Sequence, residues 1–79
     1  MTDHRAGHHL DAKGLQCPLP VLRARKALKA LAIGEVLTVE ATDPGAVRDF
    51  PAFCEATGNR LRSSGEEAGV YRFVIERVV

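Results

Sequence analysis

Apolar and polar residues alternate along this chain with two different periods, and the switches between them mark out six elements. Leu10-Asp11-Ala12 alternates with period two and reads as a short first strand. From Pro18 to about Ala32 the period changes to that of a helix: Val21, Ala24, Ala27, Leu28, Leu31 and Ala32 gather on one stripe, with Gly34 near its C-cap. Glu35 to Ala41 returns to period two, is rich in β-branched residues, and turns Leu37, Val39 and Ala41 to one side. A second helical pattern follows, in which Val47, Phe50, Phe53, Cys54 and Thr57 share a face and Gly58 supplies the stop. Asn59 to Ser64 and Val70 to Val78 are two more strands; Gly65 to Gly69 turns between them as a hairpin. In the last strand Tyr71, Phe73 and Ile75 point one way, Arg72 and Glu76 the other.

The order is therefore βαβαββ. Strand, helix, strand implies a right-handed crossover and a parallel pair. A four-stranded mixed sheet with both helices on one face, an α/β (α+β) two-layer sandwich, buries one layer and leaves one sheet face in water. Residues 1–9 read as a flexible tail and residues 10–79 as the folded domain; His4, His8 and His9 read as tail or strand-edge residues, without the companion ligands that would close a metal site.

Prolines set the helix starts. Pro is tolerated only in a helix's opening turn, where the N–H groups have no internal partner. Pro18 at the first helical position and Pro20 at the third place Cys17 at the N-cap. Asp43 and Pro44 open the second helix in the same way. Pro51 then intrudes, and predicts either a short turn with a helix restarting near Asp49 or a kink.

Composition narrows the function. With 79 residues the chain is one domain, and a formal net charge of +1 argues against a dominant nucleic-acid role. No apolar run approaches a membrane span and the first residues lack a signal-peptide core, so the expected compartment is the cytoplasm, where thiols stay reduced. Cys17 and Cys54 form neither a CxxC motif nor a disulfide framework. Cys54, beside Phe50 and Phe53, reads as a core residue, about ten residues and roughly 15 Å along its helix from the level of Cys17.

Cys17 is the candidate for chemistry. At the positive end of a helix dipole its thiolate is favoured and its pKa is expected below the free value of about 8.5. Thiolates are the nucleophiles in sulfur exchange, and no metal or general acid is needed for it. Leu19 and Leu22 lie opposite the core stripe near Cys17, beside Arg23, Arg25, Lys26 and Lys29 with no acid among them. These residues read either as a docking surface for a partner or, for the leucines, as positions covered by the sheet's end or the N-terminal tail, and for the cations as a solvated face. Gly14 makes the turn towards Cys17. Asp11 either orients the loop around Cys17 or merely solvates the strand end.

Leu10-Asp11-Ala12, Gly14-Leu15, Cys17-Pro18-Leu19-Pro20, Arg25-Lys26, Gly34-Glu35, Asp43-Pro44, Asp49-Phe50-Pro51, Phe53-Cys54, Gly58, Gly69, Tyr71 and Phe73 together resemble the TusA (SirA-like) sulfur-carrier family. The resemblance covers nearly all of the chain after its first nine residues. It implies a two-layer βαβαββ sandwich and a CPxP cysteine, here Cys17, that carries sulfur as a persulfide and needs no cofactor. It implies as partners a sulfur donor of the cysteine desulfurase or rhodanese type and a DsrE-like acceptor. tRNA thiolation, molybdenum-cofactor supply and oxidation of reduced sulfur are all compatible with it. The competing expectation is a non-catalytic interaction or regulatory module using the basic face of the first helix. A thiol–disulfide oxidoreductase is disfavoured because Cys17 has no nearby resolving cysteine.

Overall fold

The structure is a computed structural model and describes residues 7–79. The six elements are β1 (Gly7–Ala12), α1 (Leu19–Lys29), β2 (Val36–Ala41), α2 (Ala46–Thr57), β3 (Arg60–Glu67) and β4 (Val70–Glu76), in the expected βαβαββ order. The strands form one sheet in the order β1-β2-β4-β3. β1 and β2 run parallel with Ala12 opposite Ala41, and β4 lies antiparallel between β2 and β3. The parallel pair positions the site. Two parallel strands ending in register deliver the loops that follow them to the same edge of the sheet.

The core lies between the sheet and the two helices. Ala12, Leu37, Val39, Ala41, Phe73 and Ile75 come from alternate strand positions; Ala24 and Leu28 come from α1, Leu31 follows it, and Ala46, Phe50 and Cys54 come from α2. Phe50 stacks on Phe73 with ring centroids 4.5 Å apart. On the open face Glu40 accepts from Arg72 (2.7 Å), and Lys13 and His9 approach it at 3.3 and 3.2 Å. Those hydrogen bonds, Arg72's the largest, hold the Glu40 carboxyl down at about 2.

Several boundaries differ from the sequence reading. β1 begins at Gly7, so the tail reading does not hold for Gly7, His8 and His9; residues 1–6, with His4, lie outside the described residues. Strand pairing is made by the backbone, and β2 offers partners back to Val36, opposite Gly7. Polar side chains are tolerated at this rim: His8 meets Glu35 at 3.3 Å and His9 meets Glu40.

α1 ends at Lys29, before the expected Ala32. Its last turn tightens, with Ala30 and Leu31 N–H donating to the carbonyls of Ala27 and Leu28, and the Arg77 guanidinium donates to the Lys29 and Leu31 carbonyls. Ala32 is consequently exposed rather than part of the core stripe, and Gly34 supplies a positive φ in the turn before β2 instead of capping the helix.

α2 does not restart near Asp49. It runs as one helix from Ala46 through Pro51 to Thr57 and stops at Gly58, which is left-handed as expected. Pro51 removes one bond, and because Pro51 and Val47 are both exposed, water can serve the Val47 carbonyl. The buried line is Ala46, Phe50 and Cys54, spaced by four, which leaves Val47 off it and 53% exposed, contrary to the expected shared face.

The final hairpin is longer and tighter than expected. Glu67 pairs with Val70, leaving only Ala68 and Gly69 in the turn, both at positive φ. A two-residue turn with both central residues left-handed matches the right-handed twist of the strands, but alanine pays for its Cβ there. Ala68→Asn is therefore expected to stabilise the chain by about 1 kcal/mol, seen as a melting temperature raised by about 4–8 °C. An unchanged or lowered melting temperature would contradict this account of the turn.

Candidate functional site

Cys17 stands in the loop between β1 and α1, exposed and free. Asp11 accepts the Lys13 N–H (3.0 Å) and starts the turn; Gly14, at positive φ, completes it, and its N–H donates to Thr42 Oγ1 (2.9 Å). Asp11 thus shapes the loop from its base and makes no contact with Cys17. The Cys17 N–H donates to Asp43 Oδ2 (3.3 Å), an oxygen that also accepts the Gly45 N–H (3.2 Å). Thr42 and Asp43 both follow β2, so two cross-loop bonds hold the Cys17 loop against the start of α2.

Gly45 is required by that closeness. Its φ of −61° suits any residue, but a Cβ there would lie 2.8 Å from Asp43 Oδ2 and 3.2 Å from Cys17 Cβ. The sulfur itself meets α2: Cys17 Sγ lies 2.5 Å from Asp49 Oδ2, and the thiol donates to that carboxylate. The other oxygen of Asp49 is 3.7 Å from Arg48 Nε.

These contacts reverse one expectation. Pro18, not Cys17, is the N-cap residue of α1, so Cys17 lies one residue further out; Pro20 occupies the opening turn and is buried. The Cys17 pKa is raised, not lowered: the hydrogen bond to Asp49 is the main cause, followed by desolvation and by the charges of Asp49 and Asp43, with Arg48 opposing. Pro18 and Pro20 carry no N–H, and the Leu19 N–H is committed to the Gln16 carbonyl (2.8 Å). The helix start therefore has few donors to offer a thiolate, while a carboxylate touches the sulfur.

Leu19 and Leu22 are exposed, at 44% and 52%, and Arg23, Arg25, Lys26 and Lys29 are exposed along the same helix. Nothing among the described residues covers the two leucines. Cys54 is buried in the core, and burial raises its thiol. The two cysteines are unpaired.

Local sequence pattern points to no role at the sulfur for Asp49 or Gly45, and to a capping role alone for Asp43. A signal was available: parallel strands bring the loop after β2 beside the loop after β1, so residues 42–49 were the natural neighbours of Cys17.

The model of the family described as Sulfurtransferase TusA matches residues 8–77. The chain belongs to the TusA family. The sulfur carrier protein TusA of Allochromatium vinosum is 57% identical over 68 residues, covering 86% of this chain and 90% of that protein. A TusA sulfur carrier protein of Pseudomonas entomophila is 47% identical over 77 residues, 98% of this chain and 96% of the relative. Among solved structures, a SirA-like protein of Desulfitobacterium hafniense superposes with a TM-score of 0.78 at 30% identity, over 90% of this chain and 97% of that one. The TusA match runs from the second residue of β1 to just past the end of β4 and so includes the whole Cys17 site. No helix among the described residues is long and apolar enough to cross a membrane.

Proposed function

We propose that this chain carries sulfane sulfur as a persulfide on Cys17 and relays it in the cytoplasm from a donor protein to an acceptor protein. The observation that carries this reading is the exposed, unpaired sulfur of Cys17, held at the sheet edge by bonds from its own backbone and from Gly14 to the loop after β2. Membership of a family whose relatives are named sulfur carriers supports it. In loading, Cys17 attacks the outer sulfur of a donor persulfide and the donor's own sulfur leaves as thiolate. In discharge, an acceptor thiolate attacks the outer sulfur on Cys17. Sulfur only changes hands in each step, so no redox partner or metal is called for.

Gly14, Pro18 and Pro20 shape the loop and the helix start, and Asp11 fixes the loop's base. Leu19 and Leu22 form the apolar part of a docking surface, with Arg23 and Lys26 selecting partners of acidic surface. The donor is of the cysteine desulfurase or rhodanese type and the acceptor DsrE-like, both of which present a reactive cysteine to be approached closely.

Incubation with inorganic polysulfide, then with a protein donor, should add the mass of sulfur to the peptide containing Cys17, and reductant should remove it. No gain, or a gain confined to Cys54, would sink the proposal. Reversing charge at Arg23 and Lys26 should lower the rate of loading from the protein donor, relative to loading from polysulfide, by about tenfold at low salt. An unchanged ratio would remove the basic face from the docking surface.

A further inference from the structure

The geometry points to Asp49 as the proton carrier of the relay: its carboxylate takes the Cys17 thiol proton as sulfur is loaded and returns it as sulfur leaves. This rests on the persulfide reading of Cys17 and extends it to a second catalytic residue. The Cys17 thiol donates directly to Asp49 Oδ2, so the proton to be moved already points at its acceptor. The Asp49 side chain is 22% exposed, and Cys17 is exposed, so sulfur and carboxylate are both open to an incoming partner.

Among the described residues no other charged group hydrogen-bonds to the sulfur. Asp43 spends Oδ2 on the backbone N–H groups of Cys17 and Gly45. Arg48 offers only N–H donors and can accept nothing. His8 and His9 lie on β1 and face Glu35 and Glu40. The raised Cys17 pKa gives the proton carrier a purpose, since little thiolate stands ready at neutral pH and deprotonation has to accompany attack.

The steps balance. In loading, Cys17–SH, Asp49–COO⁻ and donor–S–SH give Cys17–S–SH, Asp49–COOH and donor–S⁻. One S–S bond breaks as another forms, the donor sulfur keeps the electron pair of the broken bond, and the proton moves to Asp49. In discharge, acceptor–S⁻, Cys17–S–SH and Asp49–COOH give acceptor–S–SH, Cys17–SH and Asp49–COO⁻. Each step conserves charge, and the second restores the starting state.

Asp49→Asn tests this with two readings on one sample: alkylation of Cys17 by iodoacetamide, and sulfur uptake from glutathione persulfide followed by mass spectrometry. Both reactions are attacks by the same sulfur, so each is followed from about pH 6 to about pH 8. In the unaltered chain Asp49 takes the proton during attack, and the rates should stay nearly level over that range. In Asp49→Asn the proton has to leave for water first, so the rates should rise about tenfold per pH unit with the thiolate fraction. Asp49→Glu should restore the level profile. The same pH profile in Asp49→Asn and in the unaltered chain would overturn the role of Asp49 while leaving Cys17 as the carrier. Absence of sulfur on Cys17 of the unaltered chain would overturn the carrier reading itself.

Discussion

Cys17→Ser should abolish sulfur loading and relay outright, with the signal at background, while Cys54→Ala keeps both. Serine retains a hydroxyl able to donate to Asp49 Oδ2 and fits the space beside Gly45, so the loop should keep its shape. What is lost is the sulfur: an oxygen in its place forms no persulfide. Cys54 serves as the internal control because it is 4% exposed and packs in the core. Alanine there removes only one buried atom, and should cost stability rather than chemistry. The measurement is mass spectrometry of each variant after donor treatment, followed by transfer to an acceptor thiol. Sulfur retained by Cys17→Ser would show that the carrier atom lies elsewhere, and the chain would then read better as an interaction module.

Phe50→Ala should destabilise the fold by about 3–5 kcal/mol. Phe50 is fully buried, stacks on Phe73 across the helix–sheet interface, and is among the largest side chains with no solvent contact. A domain of this size holds only about 4–12 kcal/mol in total, so the variant should sit close to its unfolding threshold. Urea melts read the loss directly as a lower midpoint at nearly constant slope. Phe50→Leu, which keeps most of the volume, should lose about 1–2 kcal/mol. A loss below about 1 kcal/mol for the alanine variant would mean that the core closes around the gap. Because Asp49 is the preceding residue, partial unfolding of α2 should also free Cys17 from its carboxylate, and alkylation should speed up in step with the loss of structure.

The strands and the apolar faces were legible because they are local. Leu37, Val39 and Ala41, and Phe73 and Ile75, alternate in sequence as they do in space, and each is buried as the alternation requires. Element ends were less legible. α1 stops at Lys29 because Arg77, distant in sequence, donates to the carbonyls at its end. Val47 satisfies the helical period loosely, and only the actual line of contact with the sheet excludes it from the core. The hairpin turn lies later than the pattern implies because Gly65 to Glu67, whose side chains are loop-like, pair through their backbones with β4.

Cys17 shows the same division at the level of chemistry. That one cysteine would stand beside a proline-marked helix start, and the other in the core, follows from neighbours within a turn or two, and the amino-acid order by itself determined it. The state of the sulfur does not follow from such neighbours. Its proton is governed by Asp49 and Asp43, which lie far along the chain and reach it only because β1 and β2 pair in parallel and end together. A local rule about helix dipoles predicted a lowered pKa, and a carboxylate supplied by the tertiary structure raised it. A charge in direct contact outweighs a partial charge spread over a helix end whose N–H groups are missing or already used.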